Sequence, residues 1–423
     1  MGQKRPDRAP AVRRPTAIGI MALAALLGAA GATIGRELVI QLGQQPDGSS
    51  VVPTNQRVTP VGRVESLAGA RPKDVAFSPD GKTVAVLATG RVAFYTVDGA
   101  PAGQVSLTTG ALGVAFSPDG GVLYASTSAG KVARFRREGE SWKADGELTV
   151  DPGGPAAGRR GRSTGNPQAG GLAVSRDGGR LYVALGIRNI VAVVELPTGR
   201  ILQTVPVGIA PYHVALTPDG RTLCVSNRGG PLTGDSASDT APSAQTPVPV
   251  DPVTDAARQG SVSLIDTQSF AVRSVAVGRQ PGGLAVTPDG RSLWVANSDS
   301  DNLSCVDLAS AHVKETVSLR PPEDPGFGQM PASLALSEDG RTLYVACGGA
   351  NAVAVLSVRG EPRLQGFLPC GWYPIALQER GGMLCVANTK GIGARNPNSQ
   401  GKFGVHASVG TVQFVTAEQR RGL

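Results

Sequence analysis

From residue 61 onward, short runs of alternating apolar and polar residues are separated by turn residues, and the pattern recurs roughly every 40 residues. The unit is clearest at residues 280–297, where an apolar run is followed by Pro288-Asp289-Gly290 and then by the alternating run Ser292–Asn297. In such a turn, proline fixes φ, the aspartate side chain caps the backbone, and glycine adopts a positive φ. The pattern therefore predicts pairs of antiparallel strands joined by tight turns.

Variants of this turn begin at Ser78, Ser117, Ser175, Thr217, Thr287, Ser337 and Gln378. Each unit has room for four strands, which in the third copy are expected at Gly171–Ser175, Arg180–Leu185, Asn189–Glu195 and Arg200–Val207. Four antiparallel strands in a unit of this length are typical of a propeller blade, and seven blades close a ring. The period-2 alternation and the 57 glycines and 32 prolines exclude a helical solenoid. The predicted fold is an all-β, seven-bladed β-propeller.

The two ends of the periodic region predict how the ring closes. Arg63–Gly69 resembles the fourth strand of a blade, such as Ser274–Gly278, yet it precedes the first unit. Gly410–Val415 resembles a third strand, so the last blade lacks a fourth. Pairing these two segments would close the ring and leave no open sheet edge at the seam.

The first 35 residues resemble an export leader. Five basic residues precede the uncharged run Ala17–Gly35, and Ala30-Gly31-Ala32 is a candidate cleavage site. A cleaved signal peptide and a retained membrane anchor are both open; either would place the rest of the chain outside the cytoplasm, in the periplasm or at the cell surface. Residues 36–60 are expected to form a polar linker with nothing to bury, residues 61–417 the propeller, and residues 418–423 a tail.

Composition narrows the function classes. Hydrophobic residues make up 41% of the chain and charged residues 17%, which excludes general disorder. Half of the formal net charge of +8 lies in the leader, and aromatic residues are only 4%, so a nucleic-acid partner is not expected. Contact with a membrane is expected only through an uncleaved N-terminal helix.

Four second strands carry a further motif: Trp294-Val295-Ala296-Asn297, Cys224-Val225-Ser226-Asn227, Cys385-Val386-Ala387-Asn388 and Tyr344-Val345-Ala346-Cys347. They resemble the Tyr-Val-x-Asn strand of the YVTN (YncE-like) seven-bladed propeller repeats. A closer resemblance is to the propeller half of bacterial fusions with an alkaline-phosphatase-type phosphoesterase. That resemblance is carried by Val225–Gly230, Gly371–Pro374 and Ala387–Gly391. It implies a seven-bladed propeller and leaves a separate phosphoesterase open as a partner; the catalysis of that family is not carried over.

The long insertions predict which side of the ring binds. In an antiparallel blade, the loops from second to third strands and from fourth to first strands share one face. All four long insertions fall on this face, namely residues 151–168, 228–259, 320–330 and 389–408. Loops of this length are more often functional or disordered than neutral. This long-loop face is therefore predicted to bind an unknown protein or small ligand of the cell envelope. Its candidate contacts are Tyr212, His213, Asn227, Arg228, Asn297, Trp372, Tyr373, Asn388, Lys390, Arg395 and His406.

Structural roles compete with this interpretation. An asparagine at the end of a second strand caps a turn in many proteins, and Trp372 and Tyr373 are equally suited to packing against blade seven. His213 has the stronger functional claim because it lies in an innermost strand near the channel. Asp299-Ser300-Asp301 is expected to be a solvated turn rather than a Ca²⁺ site.

Chemical motifs are sparse. The 3 histidines lack metal-ligand spacing, and no catalytic Gly-x-Ser-x-Gly or phosphate-binding motif stands out, so no metal or cofactor is expected. The 5 cysteines lie in predicted strands and are expected to be small core residues, with at least one unpaired. The predicted function is a non-enzymatic binding or scaffold module. The alternatives are an accessory domain of a phosphoesterase system and a lactonase-like hydrolase at the channel mouth, which an acid, a histidine and an arginine gathered around His213 would favour.

Overall fold

The computed structural model describes residues 42–153, 167–232, 239–243, 246–321, 328–394, 401 and 407–421. Within these ranges the chain forms only strands and connecting turns. It contains seven four-stranded antiparallel sheets, called blades 1 to 7 here, and two smaller sheets. None of the described segments is a helix with the length and apolar character that crossing a membrane requires. The predicted leader lies outside the described residues.

The strands before the first blade are β1 (Gly43–Gln44), β2 (Ser50–Val51), β3 (Arg57–Val58) and β4 (Arg63–Ser66). Blade 1 consists of β5 (Pro72–Phe77), β6 (Thr83–Ala88), β7 (Arg91–Thr96) and β8 (Pro101–Ser106). Blade 2 consists of β9 (Gly110–Phe116), β10 (Val122–Thr127), β11 (Lys131–Glu138) and β12 (Ser141–Thr149). Blade 3 consists of β13 (Ala169–Val174), β14 (Arg180–Leu185), β15 (Ile190–Glu195) and β16 (Ile201–Pro206).

Blade 4 begins with β17 (Pro211–Leu216) and β18 (Thr222–Asn227), is interrupted by the hairpin of β19 (Thr240–Ser243) and β20 (Thr246–Pro249), and ends with β21 (Gly260–Asp266) and β22 (Val272–Val277). Blade 5 consists of β23 (Pro281–Val286), β24 (Ser292–Asn297), β25 (Asn302–Asp307) and β26 (His312–Ser318). Blade 6 consists of β27 (Pro331–Leu336), β28 (Thr342–Cys347), β29 (Ala352–Ser357) and β30 (Arg363–Pro369). Blade 7 consists of β31 (Trp372–Arg380), β32 (Met383–Gly391), β33 (Thr411–Thr416) and β4.

The first strand of each blade is the innermost, and these strands contact one another around a closed circle. β5 contacts β9, the contacts continue blade by blade to β31, and β31 contacts β5 again. This closed ring of seven sheets is the architecture of a β-propeller. The repeat pattern thus predicted the fold class and the number of blades.

The predicted seam is confirmed. β33 pairs antiparallel with β4, with Thr411 opposite Ser66 and Gln413 opposite Val64. The Gln413 side chain also donates a 2.6 Å hydrogen bond from Nε2 to the carbonyl oxygen of Val61. The N-terminal strand therefore supplies the outermost strand of blade 7, and the sheet edge of β33 is covered.

The Pro-Asp-Gly turns are built as their chemistry predicts. In blade 1, Asp80 Oδ1 accepts a 3.0 Å bond from the Lys82 amide, and Ser78 Oγ accepts a 2.9 Å bond from the Thr83 amide. Gly81 adopts a φ of +70°. The Ser78 hydroxyl, which donates to Asp80, holds the pKa of this carboxyl below its usual range. The same arrangement recurs in blades 2 to 6 with Asp119, Asp177, Asp219, Asp289 and Asp339.

The core lies between the blades. Each of seven apolar clusters joins residues of two neighbouring blades, and the cluster at the seam combines Val75 and Val84 of blade 1 with Phe414 of blade 7. All five cysteines are buried and free, as expected for small core residues. Burial of apolar faces between the sheets is what makes the ring rigid enough to position a site.

Part of the expected linker is folded. β1, β2 and β3 form a small sheet in which Val51, Val52 and Val58 are buried. The sheet is tied to blade 6 by a 2.7 Å hydrogen bond between the amide of Asn351 and Gln56 Oε1. The prediction of a polar tether with nothing to bury is therefore wrong for residues 42–58, because these valines find a partner surface only once the ring has formed.

Candidate functional site

A cavity of about 380 Å³ occupies the channel at the centre of the ring. It opens between the short turns of the blades, where Pro79, Ser117 and Pro118 line it. This channel cavity thus lies on the face opposite the long loops. Its charged and titratable lining residues are Asp74, Arg176, His213 and Arg380. An acid, a histidine and two arginines therefore line one open cavity.

Asp74 and His213 reach the cavity from opposite sides of the ring. Asp74 lies in β5 of blade 1, and His213 lies in β17 of blade 4, three blades away. Asp74 Oδ2 accepts a 3.0 Å hydrogen bond from the amide of Val114 in the neighbouring innermost strand. The His213 amide donates to Ser226 Oγ at 3.1 Å, while the ring atom Nδ1 is buried without a hydrogen-bond partner. The imidazole thus lines the cavity, with its Nδ1 shielded from solvent.

The position of both groups deep in the ring changes their titration. Burial raises the pKa of Asp74 to about 7, although hydrogen bonds from the amides of Val114 and Val75 oppose the shift. Burial lowers the pKa of His213 to about 4. Near neutral pH, the carboxyl is therefore divided between its acid and its base forms, and the imidazole is neutral. Both states suit proton transfer at neutral pH.

Two arginines stand at the mouth of the channel cavity. Arg176 replaces the proline of the turn in blade 3, and Arg380 lies in the irregular turn of blade 7, where Gly381 and Gly382 follow. Both side chains are exposed. Arg380 also donates to the carbonyl oxygen of Pro79 in blade 1, which fixes it at the rim. These two guanidinium groups give an anionic guest a pair of charged partners at the mouth.

The long-loop face carries a second concentration of functional groups. The guanidinium carbon of Arg228 lies 3.4 Å from the ring centroid of Tyr212. Lys390 Nζ lies 4.5 Å from the ring centroid of Tyr373 and 5.2 Å from that of Trp372. Burial raises the pKa of Tyr373, and the charge of Arg228 opposes that shift, so the two pairs act on each other across the channel axis. Five predicted contacts are thereby brought together.

Arg71 and Lys73 of blade 1 extend this group. Burial, and after it the positive charge of Arg71, lowers the pKa of both Lys390 and Lys73. We call Arg71, Lys73, Tyr212, Arg228, Trp372, Tyr373 and Lys390 the loop-face cluster. Lys73 also lines a cavity of about 410 Å³ on this face, next to Thr109 and Gln168.

Tyr373 is held in an uncommon backbone conformation. Its φ is +61°, in the left-handed region that side chains other than glycine rarely adopt. The Tyr373 amide donates a 3.1 Å hydrogen bond to Asn351 Oδ1, and its ring lies against Gly348 of blade 6. A Cβ on Gly348 would lie 3.1 Å from Cε1 of that ring, so the glycine makes room for it. The aromatic ring of Tyr373 is therefore fixed before any ligand arrives.

The three predicted asparagine contacts have structural roles instead. Asn227, Asn297 and Asn388 are fully buried inside their blades. Their amides donate to side chains of the neighbouring third strand, such as Ser261, Ser304 and Thr411. The three side chains therefore link neighbouring strands, which is close to the turn-capping role that the sequence offers as the alternative to ligand binding. They do not face either mouth of the channel.

The remaining predictions divide as follows. Arg395 and His406 lie outside the described residues. Asp301 is buried and bonds to Arg320 and to the amide of Met330, so it fastens a loop. Across the described ranges, no group of three or more His, Cys, Asp or Glu side chains could hold a metal ion.

Sequence reasoning missed Asp74, Arg176 and Arg380, although a signal for them was present. Each departs from the repeat at a position where other blades have glycine, proline or a Pro-Asp-Gly turn. Departures at positions that face a shared axis are candidates for function, since packing alone does not require them.

Comparison with known proteins supports the fold. A family model described as "Lactonase, 7-bladed beta-propeller" matches residues 40–231. A search of curated proteins gives no match. A chain of Kuenenia stuttgartiensis hydrazine synthase superposes with a TM-score of 0.59 at 19% identity, over 75% of this chain and 92% of that chain. A catalytically inactive virginiamycin B lyase from Staphylococcus aureus, solved with quinupristin, gives a TM-score of 0.56 at 12% identity, over 84% of this chain and 99% of that one. At such identities the likeness shows the propeller fold alone.

Proposed function

We propose that this protein hydrolyses a lactone, or a similar ester, in the channel cavity. The observation that carries the proposal is that Asp74, His213, Arg176 and Arg380 line one cavity of about 380 Å³. The match of residues 40–231 to a lactonase propeller family supports the same reaction class. Lactone hydrolysis is one of the alternatives that the sequence leaves open. An acid, a histidine and an arginine around His213 are the feature that favours it.

The chemistry follows from the protonation states. Asp74, with a pKa of about 7, is the general base that removes a proton from water as the water oxygen bonds to the lactone carbonyl carbon. The carboxylic acid formed on Asp74 then returns that proton to the ring oxygen as the acyl–oxygen bond breaks. His213 is neutral near pH 7 and lines the cavity, so it adds no charge beside the substrate. One lactone and one water thereby give one hydroxy acid.

The arginines at the mouth stabilise the negative charge that forms during the reaction. Ring opening converts a neutral ester into a carboxylate, and the transition state already carries part of that charge. Guanidinium groups such as those of Arg176 and Arg380 stabilise oxyanions by charge-assisted hydrogen bonds. They are therefore proposed to attract an anionic substrate and to stabilise the developing carboxylate.

The test uses the full chain and a panel of lactones of different ring size, with and without a carboxylate or phosphate substituent, and follows ring opening by proton release. Asp74→Asn is expected to lower the rate at least about 100-fold, the usual loss when a general base is removed. The matched control is Ser333→Ala, at the equivalent position of blade 6, which does not line the cavity. Activity that survives Asp74→Asn, or falls equally in the control, would overturn the proposal.

A second candidate function is binding through the long-loop face, which the loop-face cluster favours. As a binding or scaffold module, the protein would use this face on an envelope ligand or on a separate phosphoesterase, with the leader placing it outside the cytoplasm. The hairpin of β19 and β20 joins no blade sheet, but Val248 packs on Ile209 and Thr246 Oγ1 accepts a 2.7 Å hydrogen bond from Asn189 of blade 3. Deleting residues 239–249 removes these contacts and should lower the melting temperature, while the folded variant should capture an envelope partner less well; unchanged capture would count against this function.

A further inference from the structure

The loop-face cluster presents positive charge from two opposite sides of the ring. Arg228 comes from blade 4, whereas Arg71, Lys73 and Lys390 come from blades 1 and 7. Blade 4 is three blades away from both, so these two positive centres face each other across the channel axis. Lys390 Nζ lies 4.5 Å from the ring centroid of Tyr373, and the charge of Arg228 opposes the rise that burial causes in the pKa of Tyr373, in keeping with a short separation of the two sides.

Two of the cations, Arg228 and Lys390, lie on aromatic rings, whereas Lys73 Nζ donates to the carbonyl oxygen of Gly110. The Arg228 guanidinium carbon lies 3.4 Å from the Tyr212 ring centroid, and its buried Nε has no hydrogen-bond partner. Lys390 contacts Tyr373 and Trp372 and has no ion pair among the described residues. A cation on a ring face keeps its N–H groups available for an external acceptor, and leaving such donors unpaired is costly.

The balance of charge around the cluster is also one-sided. Burial, and after it the positive charge of Arg71, lowers the pKa of both Lys73 and Lys390. Asp299 is the acid that acts on Tyr373, and it is exposed. An incoming anion would therefore offset repulsion between Arg71 and the two lysines.

We propose that the loop-face cluster binds a small organic dianion, such as a dicarboxylate, with one oxyanion at Arg228 and the other at Lys390. This deepens the second candidate function by naming its ligand class, and it concerns the face opposite the channel cavity. The two-sided placement of the cations selects for two separated charges, and the backbone of Tyr373 fixes the ring on which Lys390 lies.

The experiment is calorimetric titration of the full chain at low ionic strength with succinate, adipate and suberate, against butyrate and inorganic phosphate. At least one dicarboxylate is expected to bind at least tenfold more tightly than butyrate, and its affinity should fall with added salt. Arg228→Gln and Lys390→Gln should each weaken it at least tenfold. Arg221→Gln, which removes the same charge from a short turn of blade 4, should not.

Several results would overturn the proposal. They are the absence of dicarboxylate binding, equal affinity for butyrate or phosphate, and equal weakening by Arg221→Gln. Thermal melting of each variant separates loss of binding from loss of the fold. The outcome is independent of lactone hydrolysis, since Asp74→Asn removes the proposed activity and leaves the loop-face cluster unchanged. If the variant that lacks residues 239–249 still binds dicarboxylate but no longer captures a partner, the small-ligand site is independent of partner binding.

Discussion

Asp74 and His213 occupy the same position in two blades that lie across the ring from each other. Each is the third residue of its innermost strand and directly precedes a buried valine, Val75 or Val214. In blade 3 this position is Gly171, whose Cβ would lie 2.9 Å from Cα of His213. Innermost strands approach one another so closely that most blades have a small residue here. The two titratable side chains are therefore exceptions to a steric rule, which favours a functional role for them.

The first prediction concerns the pH dependence of the proposed activity. Since burial raises the pKa of Asp74 to about 7, the base form accumulates as the pH passes through that value. The rate of lactone opening should therefore rise with pH and level off above about 8. Stopped-flow measurements from pH 5 to 9 test this, and Ser333→Ala should retain the profile. A rate that levels off already near pH 5 would assign the base to an unperturbed carboxyl.

The second prediction is that Asp74 lowers stability above neutral pH. Between pH 3.8 and about 7 the folded state keeps a proton that the unfolded state has lost, so the free energy of unfolding falls as the pH rises. The full effect is at most about 4 kcal/mol, and water in the cavity reduces it. Asp74→Asn should thus be more stable than the unmodified chain at pH 8 and similar to it at pH 4. Urea unfolding at both pH values measures this, and an identical pH dependence in the two proteins would contradict it.

A third prediction concerns acid. His213 has a pKa of about 4 when folded, against 6.5 for an exposed imidazole, so the unfolded state takes up a proton first as the pH falls. Stability should drop between pH 6.5 and 4, by about 3 kcal/mol at most for this residue. His213→Gln should remove that part of the loss. His312, which is exposed, gives the matched control His312→Gln, for which the acid dependence should persist.

The seam gives a fourth prediction. Phe414 is buried in β33, its ring centroid lies 5.5 Å from that of Tyr95 in blade 1, and its ring fits against Gly99. Phe414→Ala should cost about 3–5 kcal/mol, as for other buried phenylalanines. Val272→Ala, on the exposed outer strand of blade 4, should stay within about 0.5 kcal/mol. Equal melting temperatures of the two variants would show that the seam does not limit stability.

A fifth prediction separates structural from ligand-binding residues on the long-loop side. Asn388 is buried, and its amide donates to Thr411 Oγ1 at 3.2 Å, which links β32 to β33. Asn388→Ala should lower the free energy of unfolding by about 1–3 kcal/mol without changing dicarboxylate affinity. The neighbouring Lys390→Gln should weaken dicarboxylate binding and leave the free energy of unfolding unchanged. Chemical unfolding and calorimetric titration of both variants measure this, and a loss of affinity in folded Asn388→Ala would return the asparagine to the binding site.

The sequence alone determined the blades, because strand alternation and turn chemistry are local. Pro, Asp and Gly specify the turn wherever they occur, and counting the turns gives seven blades. The pairing of Arg63–Ser66 with Thr411–Thr416 was also predictable, since an unpaired edge at one end matched a spare strand at the other. The sequence also predicts that one face of the ring holds Tyr212, Arg228, Trp372, Tyr373 and Lys390. It does not predict the contacts among them.

Tertiary structure alone decided which side chains meet at the axis. Asp74 and His213 are 139 positions apart in the chain and come together only because the ring closes. Their altered pKa values likewise arise from burial that no local pattern encodes. The buried valines of residues 42–58 show the same limit, since a short polar segment gains its partner surface from blades that follow it by hundreds of residues. Local chemistry thus fixes the repeating unit, whereas closure of the ring creates the site.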